Sequence, residues 1–114
     1  MISLRTRMKK ESYVKVIITT STQEEAEKIG KALVEEKLAA SANIIPLIKS
    51  FFFWKGEFHN IPESILLLNT RGDLFGKLKE RVHELHSYEL PEVIALPILA
   101  GSSEFLDWIK ENTQ

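Results

Sequence analysis

In some segments of the chain the apolar residues form continuous runs, which are typical of buried strands. In others they recur at the spacing of a helix. The run YVKVIITT, residues 13–20, is rich in β-branched residues and predicts a buried strand. In residues 21–40, Ala26, Ile29 and Leu33 recur at helical spacing behind two overlapping capping-box patterns, which predicts an amphipathic helix. The chain therefore begins with a strand that is followed by a helix.

The middle of the chain predicts a β-hairpin. Residues 42–54 are β-prone and long for a single strand, so we expect Pro46 to lie at a bulge or on a sheet edge, where its missing N–H does no harm. The segment KGEFHNIPE, residues 55–63, is rich in turn formers and predicts the connection. Residues 64–71 then return as a short buried strand.

The last third of the chain predicts a helix, a strand and a final helix. Asp73 is placed to cap a helix that ends near Leu85, and residues 92–98 predict a strand. Residues 104–112 predict a short helix capped by one of the two serines before it. The order βαββαβ with an added C-terminal helix indicates an α+β, ferredoxin-like sandwich, in which one antiparallel sheet carries helices on one face.

The chain has the size of a single domain. Its 114 residues, 44% hydrophobic and 27% charged, are typical of a globular protein. Four basic residues precede the first acidic one, so we expect residues 1–12 to be a flexible basic leader and residues 13–114 to form the domain.

The predicted strands carry apolar residues on both faces, although two helices can cover only one face of the sheet. Residues 13–20, 64–71 and 92–98 all show this pattern. The hairpin adds an aromatic segment, FFFWKGEF, whose rings would be exposed in a lone chain. We therefore expect a homo-oligomer in which copies of the chain cover one another.

Charge and composition exclude several classes of function. The chain has no cysteine, which removes thiolate metal sites and disulfides. Residues 11–114 carry 11 basic and 16 acidic side chains, so we expect no binding to nucleic acid. We also expect no membrane span, because no apolar run reaches the necessary length of roughly 18 residues, and a cytoplasmic location.

The segment HSYELP gathers polar side chains before Pro91, and its chemistry has more than one interpretation. His83 and His86 are three positions apart, which would place both imidazoles on one helix face as a two-histidine metal site needs. Alternatively, His83 is solvated and His86 caps the last turn of the helix. No pattern for a serine nucleophile surrounds any serine, so we do not expect an enzyme.

Together these motifs resemble those of the divalent-cation tolerance (CutA) family. The resemblance runs from residue 14 to residue 111 and includes five segments in family order: VIITTSTQEEAEKIGKALVEEKLAASANIIP, FFFWKGEF, LLLNTR, LKERVHELHSYELPEVIALPI and EFLDWIKE. It implies a ferredoxin-like protomer in a homotrimer, related in shape to the PII signalling proteins. It also implies a non-enzymatic role in tolerance to divalent cations, notably copper.

The resemblance further implies a site in a cleft between subunits, near WKGE and HSYELP. The expected metal ligands are His86 and Glu89, and Trp54, Glu57, Asn69 and Tyr88 are expected to line the cleft.

The chain departs from the family at three positions. Ser41 stands where family members usually have cysteine, the soft ligand best suited to copper(I); Asn69 stands where they often have lysine, and Ser87 where they often have proline. Any copper site must therefore use imidazole and carboxylate groups, which favours copper(II) or another divalent cation, and we expect none to be needed for folding.

Two alternatives to metal tolerance stay open. One is a PII-like regulatory module that binds a small anionic metabolite in the intersubunit cleft. The other is a structural trimeric scaffold.

Overall fold

The structure is a computed structural model that describes residues 12–114. The predicted basic leader, residues 1–12, lies outside the described residues except for Ser12. The elements are β1 (Tyr13–Thr20), α1 (Gln23–Glu35), β2 (Ser41–Trp54), β3 (Glu57–Arg71), a 3₁₀ turn (Gly72–Leu74), α2 (Phe75–Leu85), β4 (Val93–Pro97) and α3 (Ser103–Glu111).

The four strands form one sheet in the order β2-β3-β1-β4, and all neighbouring strands run antiparallel. This connectivity, with the two crossover helices on one face, is the predicted ferredoxin-like α+β sandwich with an added C-terminal helix. The two edge strands are β2 and β4, and β1 lies between β3 and β4. The prediction of fold class is confirmed.

One face of the sheet and the apolar stripes of α1 and α2 make the core. Alternate residues of β1 point into it, and Val14, Val16 and Ile18 are fully buried. They pack with Leu66 and Leu68 of β3 and with fully buried residues of the helices: Ala26, Ile29, Leu33, Leu78 and Val82. The helical spacing read from the sequence therefore selects the residues that cover this face.

The opposite face of the sheet, which we call the open face, is apolar and incompletely covered. Ile17 lies between Leu67 on β3 and Ile94 on β4, and these side chains share the open face. Ile94 and Leu96 are 44% and 48% exposed. A layer that the protomer does not supply is needed to bury this face.

The β2–β3 hairpin extends well beyond the rest of the sheet. We call residues 48–54 and 57–63 the arm; they pair with each other from Ile48↔Glu63 to Trp54↔Glu57, whereas β1 pairs only with residues 64–71 of β3. Seven residues on each side correspond to a projection of about 23 Å.

The prediction that residues 55–63 form a turn is wrong. The turn consists of Lys55 and Gly56 alone, and both have positive φ, 51° and 80°. Such a two-residue turn matches the twist of the flanking strands, so pairing resumes at once at Glu57. Pro62 is tolerated because, within residues 12–114, β3 has only β2 as a neighbour at this point.

Pro46 lies at a bulge on an edge strand, as predicted. The pairing shifts between Ile45 and Ile48, so that β2 contains one residue more than β3 over this stretch. The hydroxyl of Ser64 donates a 2.6 Å hydrogen bond to the carbonyl oxygen of Pro46, which holds the bulge in place.

The residues that cap the N-termini of the three helices agree with the sequence prediction in two cases. Thr22 caps α1, and Ser102 caps α3 through the amide of Phe105. The prediction that Asp73 caps the second helix is wrong, because a 3₁₀ turn intervenes and α2 begins only at Phe75. Asp73 instead forms an ion pair with Arg71 at 3.1 Å.

Candidate functional site

A cavity of about 770 Å³ lies along the arm, between the arm and the loop that joins α2 to β4. We call it the arm cavity. Its polar or aromatic lining residues are Thr19, Lys49, Ser50, Phe51, Phe52, Trp54, His59, Glu63, Ser87, Tyr88, Glu89 and Glu92, and its aliphatic ones are Ile48, Ile61, Ile65 and Leu90. Its volume lies in the range of small-molecule sites.

The arm presents one of its two faces to the cavity. Phe52 and Trp54 alternate with Phe51 and Phe53 along β2, so the first pair is half-buried while the second pair is exposed. The ring of Phe52 stacks on His59 of the facing strand with centroids 5.1 Å apart. The result is an aromatic wall made by the strand pairing itself.

Tyr88 links the loop to the arm. Its hydroxyl donates a 2.5 Å hydrogen bond to Oε2 of Glu63, whose residue is only 5% exposed. Burial raises the pKa of Tyr88 above its usual value, and the hydrogen bond to Glu63 and the negative charge of that carboxylate raise it further. The phenol therefore stays protonated and acts as a donor.

Glu89 lies at the exposed end of the cavity. Its Oε1 is 3.3 Å from Nζ of Lys55, and the two side chains are 73% and 65% exposed. The same ammonium group lies 5.4 Å from the centre of the Trp54 ring. The structure thus brings Trp54 and Glu89 together, with a lysine of the turn between them.

His86 lies behind this loop, and its side chain is fully buried. Its Nε2 is 2.7 Å from the carbonyl oxygen of Thr19, and its Nδ1 accepts a 3.0 Å hydrogen bond from the amide of Tyr88. This pair of contacts requires the neutral ring with its proton on Nε2. Both nitrogens are engaged, so a metal ion at His86 would have to displace one of these partners.

Glu25, in the first turn of α1, ties the same loop to the connection between β1 and α1. Its carboxylate accepts hydrogen bonds from the amide and hydroxyl of Ser21 and from the amide of Ser87, and it lies 3.7 Å from Nδ1 of His86. Burial opposes its ionisation, but the hydrogen bonds from Ser21 and Ser87 together outweigh this and lower its pKa to about 2.

Two of the predicted cleft residues do not line the cavity of the protomer. Glu57 is exposed at the tip of the arm, paired with Trp54 across the turn. Asn69 lies on the open face of the sheet, where its amide donates a 2.9 Å hydrogen bond to the hydroxyl of Ser41. Asn69 is six positions from Glu63 along β3, which corresponds to about 20 Å.

The two-histidine interpretation of HSYELP does not match the helix. The last residue of α2 is Leu85, and His86 follows in an extended conformation, so His83 is exposed while His86 points inward. The alternative interpretation fits better: His83 is exposed, and His86 is the C-cap residue of α2, whose amide donates to the carbonyl oxygen of Val82, although its side chain is buried. Within residues 12–114, no group of three or more histidine and acidic side chains is arranged to hold a metal ion.

The sequence analysis missed most of the polar residues of the cavity, among them His59, Glu63 and Glu92. Glu63 and His59 were assigned to a turn, and Glu92 to the start of a strand; Glu92 accepts a 3.1 Å hydrogen bond from the hydroxyl of Thr19. Nε2 of His59 is buried and has no hydrogen-bond partner among the residues that the structure describes. The pair Lys55-Gly56 could have predicted a two-residue hairpin turn. Phe52, Trp54 and His59 would then lie on one face of the hairpin, and this face forms a wall of the cavity.

A family model described as "CutA1 divalent ion tolerance protein" matches residues 14–112. The chain belongs to this family. It is 51% identical over 98 residues to the divalent-cation tolerance protein CutA of Thermus thermophilus, which covers 86% of this chain and 95% of the relative. It is 44% identical over 99 residues to the CutA protein of Archaeoglobus fulgidus, with 87% and 96% covered.

Solved structures of family members share the fold. The T. thermophilus protein superposes with a TM-score of 0.87 at 49% identity and covers 90% of this chain and 99% of its own. The rice protein gives a TM-score of 0.87 at 37% identity, with 90% and 94% covered. Family membership and fold therefore rest on sequence and structure alike, as the resemblance implied.

Proposed function

We propose that this protein is a non-enzymatic homotrimer that binds divalent cations, copper(II) among them, in the arm cavity. The observation that carries the proposal is the set of carboxylates, Glu63, Glu89 and Glu92, that line one cavity in a chain of this family. The names of its relatives refer to tolerance of divalent cations and to no reaction, which supports a role in binding.

The homotrimer is supported by the apolar surface that a single protomer leaves uncovered. Leu96 of the open face is 48% exposed, and Phe51, Phe53 and Phe58 on the outer face of the arm are between 61% and 73% exposed. Light scattering at low micromolar concentration should give three times the chain mass of 13.1 kDa. A stable species of single-chain mass would contradict this part of the proposal.

Two histidines compete as the imidazole ligand. His86, predicted with Glu89 as the metal ligand, binds a metal only by giving up Thr19 or Tyr88, whereas Nε2 of His59 has no partner to lose. Imidazole and carboxylate ligands suit copper(II) and zinc(II). Because no protomer holds three such ligands together in residues 12–114, we expect neighbouring protomers to complete the coordination.

Titration with copper(II), followed by calorimetry and by electron paramagnetic resonance, tests the proposal. We expect about one ion per protomer, with nitrogen hyperfine splitting from an imidazole ligand. The chain has three histidines, so His59→Gln, His83→Gln and His86→Gln together assign that ligand, with exposed His83 as the control. Binding that Glu89→Gln and all three histidine variants leave unchanged would overturn the proposal.

The predicted alternative of a small anionic ligand is less well supported by the charge of the cavity. Its lining has three glutamates against one lysine, Lys49, and this balance favours a cation. A thermal-shift screen with nucleotides and organic acids should therefore leave the melting temperature unchanged. A scaffold role predicts no stabilisation by metal ions either.

The cytoplasmic location stays a prediction. No helix within residues 12–114 is long and apolar enough to cross a membrane.

A further inference from the structure

The arm cavity has features that a bare metal ion does not use. It is about 770 Å³ in volume, and aromatic and aliphatic walls formed by Phe52, Ile61 and Tyr88 lie between its carboxylates. A single ion contacts a small fraction of such a space, whereas an organic molecule fills it. The acidic lining and the apolar walls together are typical of a site for an organic cation.

One end of the cavity already holds an ammonium group. Nζ of Lys55 lies 5.4 Å from the centre of the Trp54 ring and 3.3 Å from a carboxylate oxygen of Glu89. An aromatic face and a carboxylate on either side of an ammonium ion are the contacts by which proteins recognise alkylammonium ligands. Since Lys55 and Glu89 are both largely exposed, their pairing is weak, and the ammonium group of a ligand can replace that of Lys55.

The other end of the cavity contains polar atoms to which no residue among 12–114 hydrogen-bonds. Glu63 is 5% exposed, and its Oε2 accepts the hydrogen bond from Tyr88, while its Oε1 has no hydrogen-bond partner among the described residues. Nε2 of His59, on the same face of β3, is buried and also lacks a partner. Oε1 of Glu63 is not among the buried atoms that lack a partner, so it is open to the cavity and can accept from a ligand. An ammonium ion supplies three donors at once.

We propose that the arm cavity binds a linear polyamine, with one ammonium group between Trp54 and Glu89 and another at Glu63. The methylene chain between the two groups packs against Phe52, Ile61 and Tyr88. Lys55 is then a tethered competitor that occupies the outer ammonium position when no ligand is present. The inference rests on the proposal that this cavity is the binding site, but it does not depend on metal binding.

Calorimetric titration of the intact oligomer with spermidine at about 0.15 M salt tests this assignment, and succinate serves as a control of opposite charge. We expect saturable binding of spermidine and none of succinate. Glu63→Gln should weaken spermidine binding at least tenfold, whereas Glu80→Gln, which removes an exposed carboxylate on α2 outside the cavity, should leave it within twofold. Equal loss in both variants would indicate nonspecific attraction and would overturn the proposal.

The two lysines near the cavity give a sharper test. Lys55→Ala removes the tethered ammonium group and should strengthen spermidine binding about fivefold, while Lys49→Ala, which lines the cavity but does not touch Trp54 in the structure, should change it less. Equal effects of the two substitutions would contradict the role given to Lys55.

Copper(II) titrated into the same samples separates the two proposals. Copper binding without spermidine binding overturns only the polyamine inference, and spermidine binding without copper binding overturns only the metal proposal.

Discussion

The inner and outer halves of the β2–β3 hairpin are made from the same two strands, yet their surroundings differ. In the inner half, which we call the sheet body, residues 64–71 of β3 pair with β1 and one face lies under α1 and α2. In the arm, each strand has a single neighbour, and Phe53 is 73% exposed. A two-stranded ribbon is at best marginally stable alone in water, so the arm depends on whatever covers it, whereas the sheet body does not.

The largest effect that separates the two halves is expected from a core truncation. Leu66→Ala removes a fully buried side chain that packs with α1 and β1, and should lower the free energy of unfolding by about 3 kcal/mol. Urea unfolding at several protein concentrations measures it, and the loss should be the same at each concentration.

Phe53→Ala is the matched truncation in the arm. Because Phe53 is exposed in the protomer, its loss should cost a single chain less than about 0.5 kcal/mol, and its main effect should be on the concentration at which the oligomer dissociates. Equal losses for Leu66→Ala and Phe53→Ala in a monomeric sample would show that the two halves do not differ in this way.

A smaller effect is expected where the loop of Tyr88 is attached to the first turn of α1, beside the sheet body. Glu25→Gln removes a carboxylate with a pKa of about 2, and should lower the free energy of unfolding at pH 7 by about 2 kcal/mol. This contribution is present above the ordinary pKa of 4.5 and is lost as the pH falls to about 2, so the difference from the parent protein should vanish there. Urea unfolding at pH 7, 4 and 2 measures the trend.

Glu24→Gln is the control for this substitution, because Glu24 lies in the same first turn of α1 but is exposed. We expect a loss of less than about 0.5 kcal/mol, from its interaction with the helix dipole. A pH-independent difference between Glu25→Gln and the parent would argue against the hydrogen-bonded carboxylate.

Tyr88→Phe breaks the contact between the loop and the arm and should cost about 1.5 kcal/mol, since it leaves the buried Glu63 without a donor. The pKa of Tyr88 is raised, so the hydrogen bond persists through the normal titration range of tyrosine near pH 10. Ultraviolet difference titration of the parent against Tyr88→Phe measures the pH at which the phenol of Tyr88 ionises. A phenolate signal that appears at the ordinary pH would mean that Tyr88 is not held by Glu63.

The smallest effect is expected at the tip of the arm. Lys55 has a φ of 51°, a conformation that asparagine adopts more readily than lysine, so Lys55→Asn should stabilise the arm by about 0.5 kcal/mol. Thermal unfolding should show a small increase in melting temperature. Lys55→Val is the opposing control, and a gain of stability with valine would mean that the turn is not of this type.

The parts of the fold that the sequence predicts are those with local signals. The strand Tyr13–Thr20, the end of α2 at Leu85 and the bulge near Pro46 all follow from periodicity, capping or the missing N–H of proline. The arm was underestimated because Gly56, Asn60 and Pro62 are common turn formers. Strand pairing with residues 48–54 outweighed that local preference.

The site was predictable only in part, because its contacts join residues far apart in the chain. Trp54, Tyr88 and Glu89 were found through a resemblance that marks two short motifs. The buried state of His86 depends on Thr19, which is 67 positions away, and the partner of Tyr88 is 25 positions away. No local pattern reports such pairs.

The bulge at Pro46 also reverses which residues of β2 point to each face of the sheet. Before it, odd-numbered residues of β2 such as Ile45 share the open face with Ile65; after it, even-numbered residues such as Ile48 share that face with Glu63. One extra residue thus directs Trp54 toward the cavity and Phe53 away from it. A change of chain length by one residue at this point therefore decides whether β2 presents Phe52 and Trp54 or the exposed Phe53 to a ligand in the cavity.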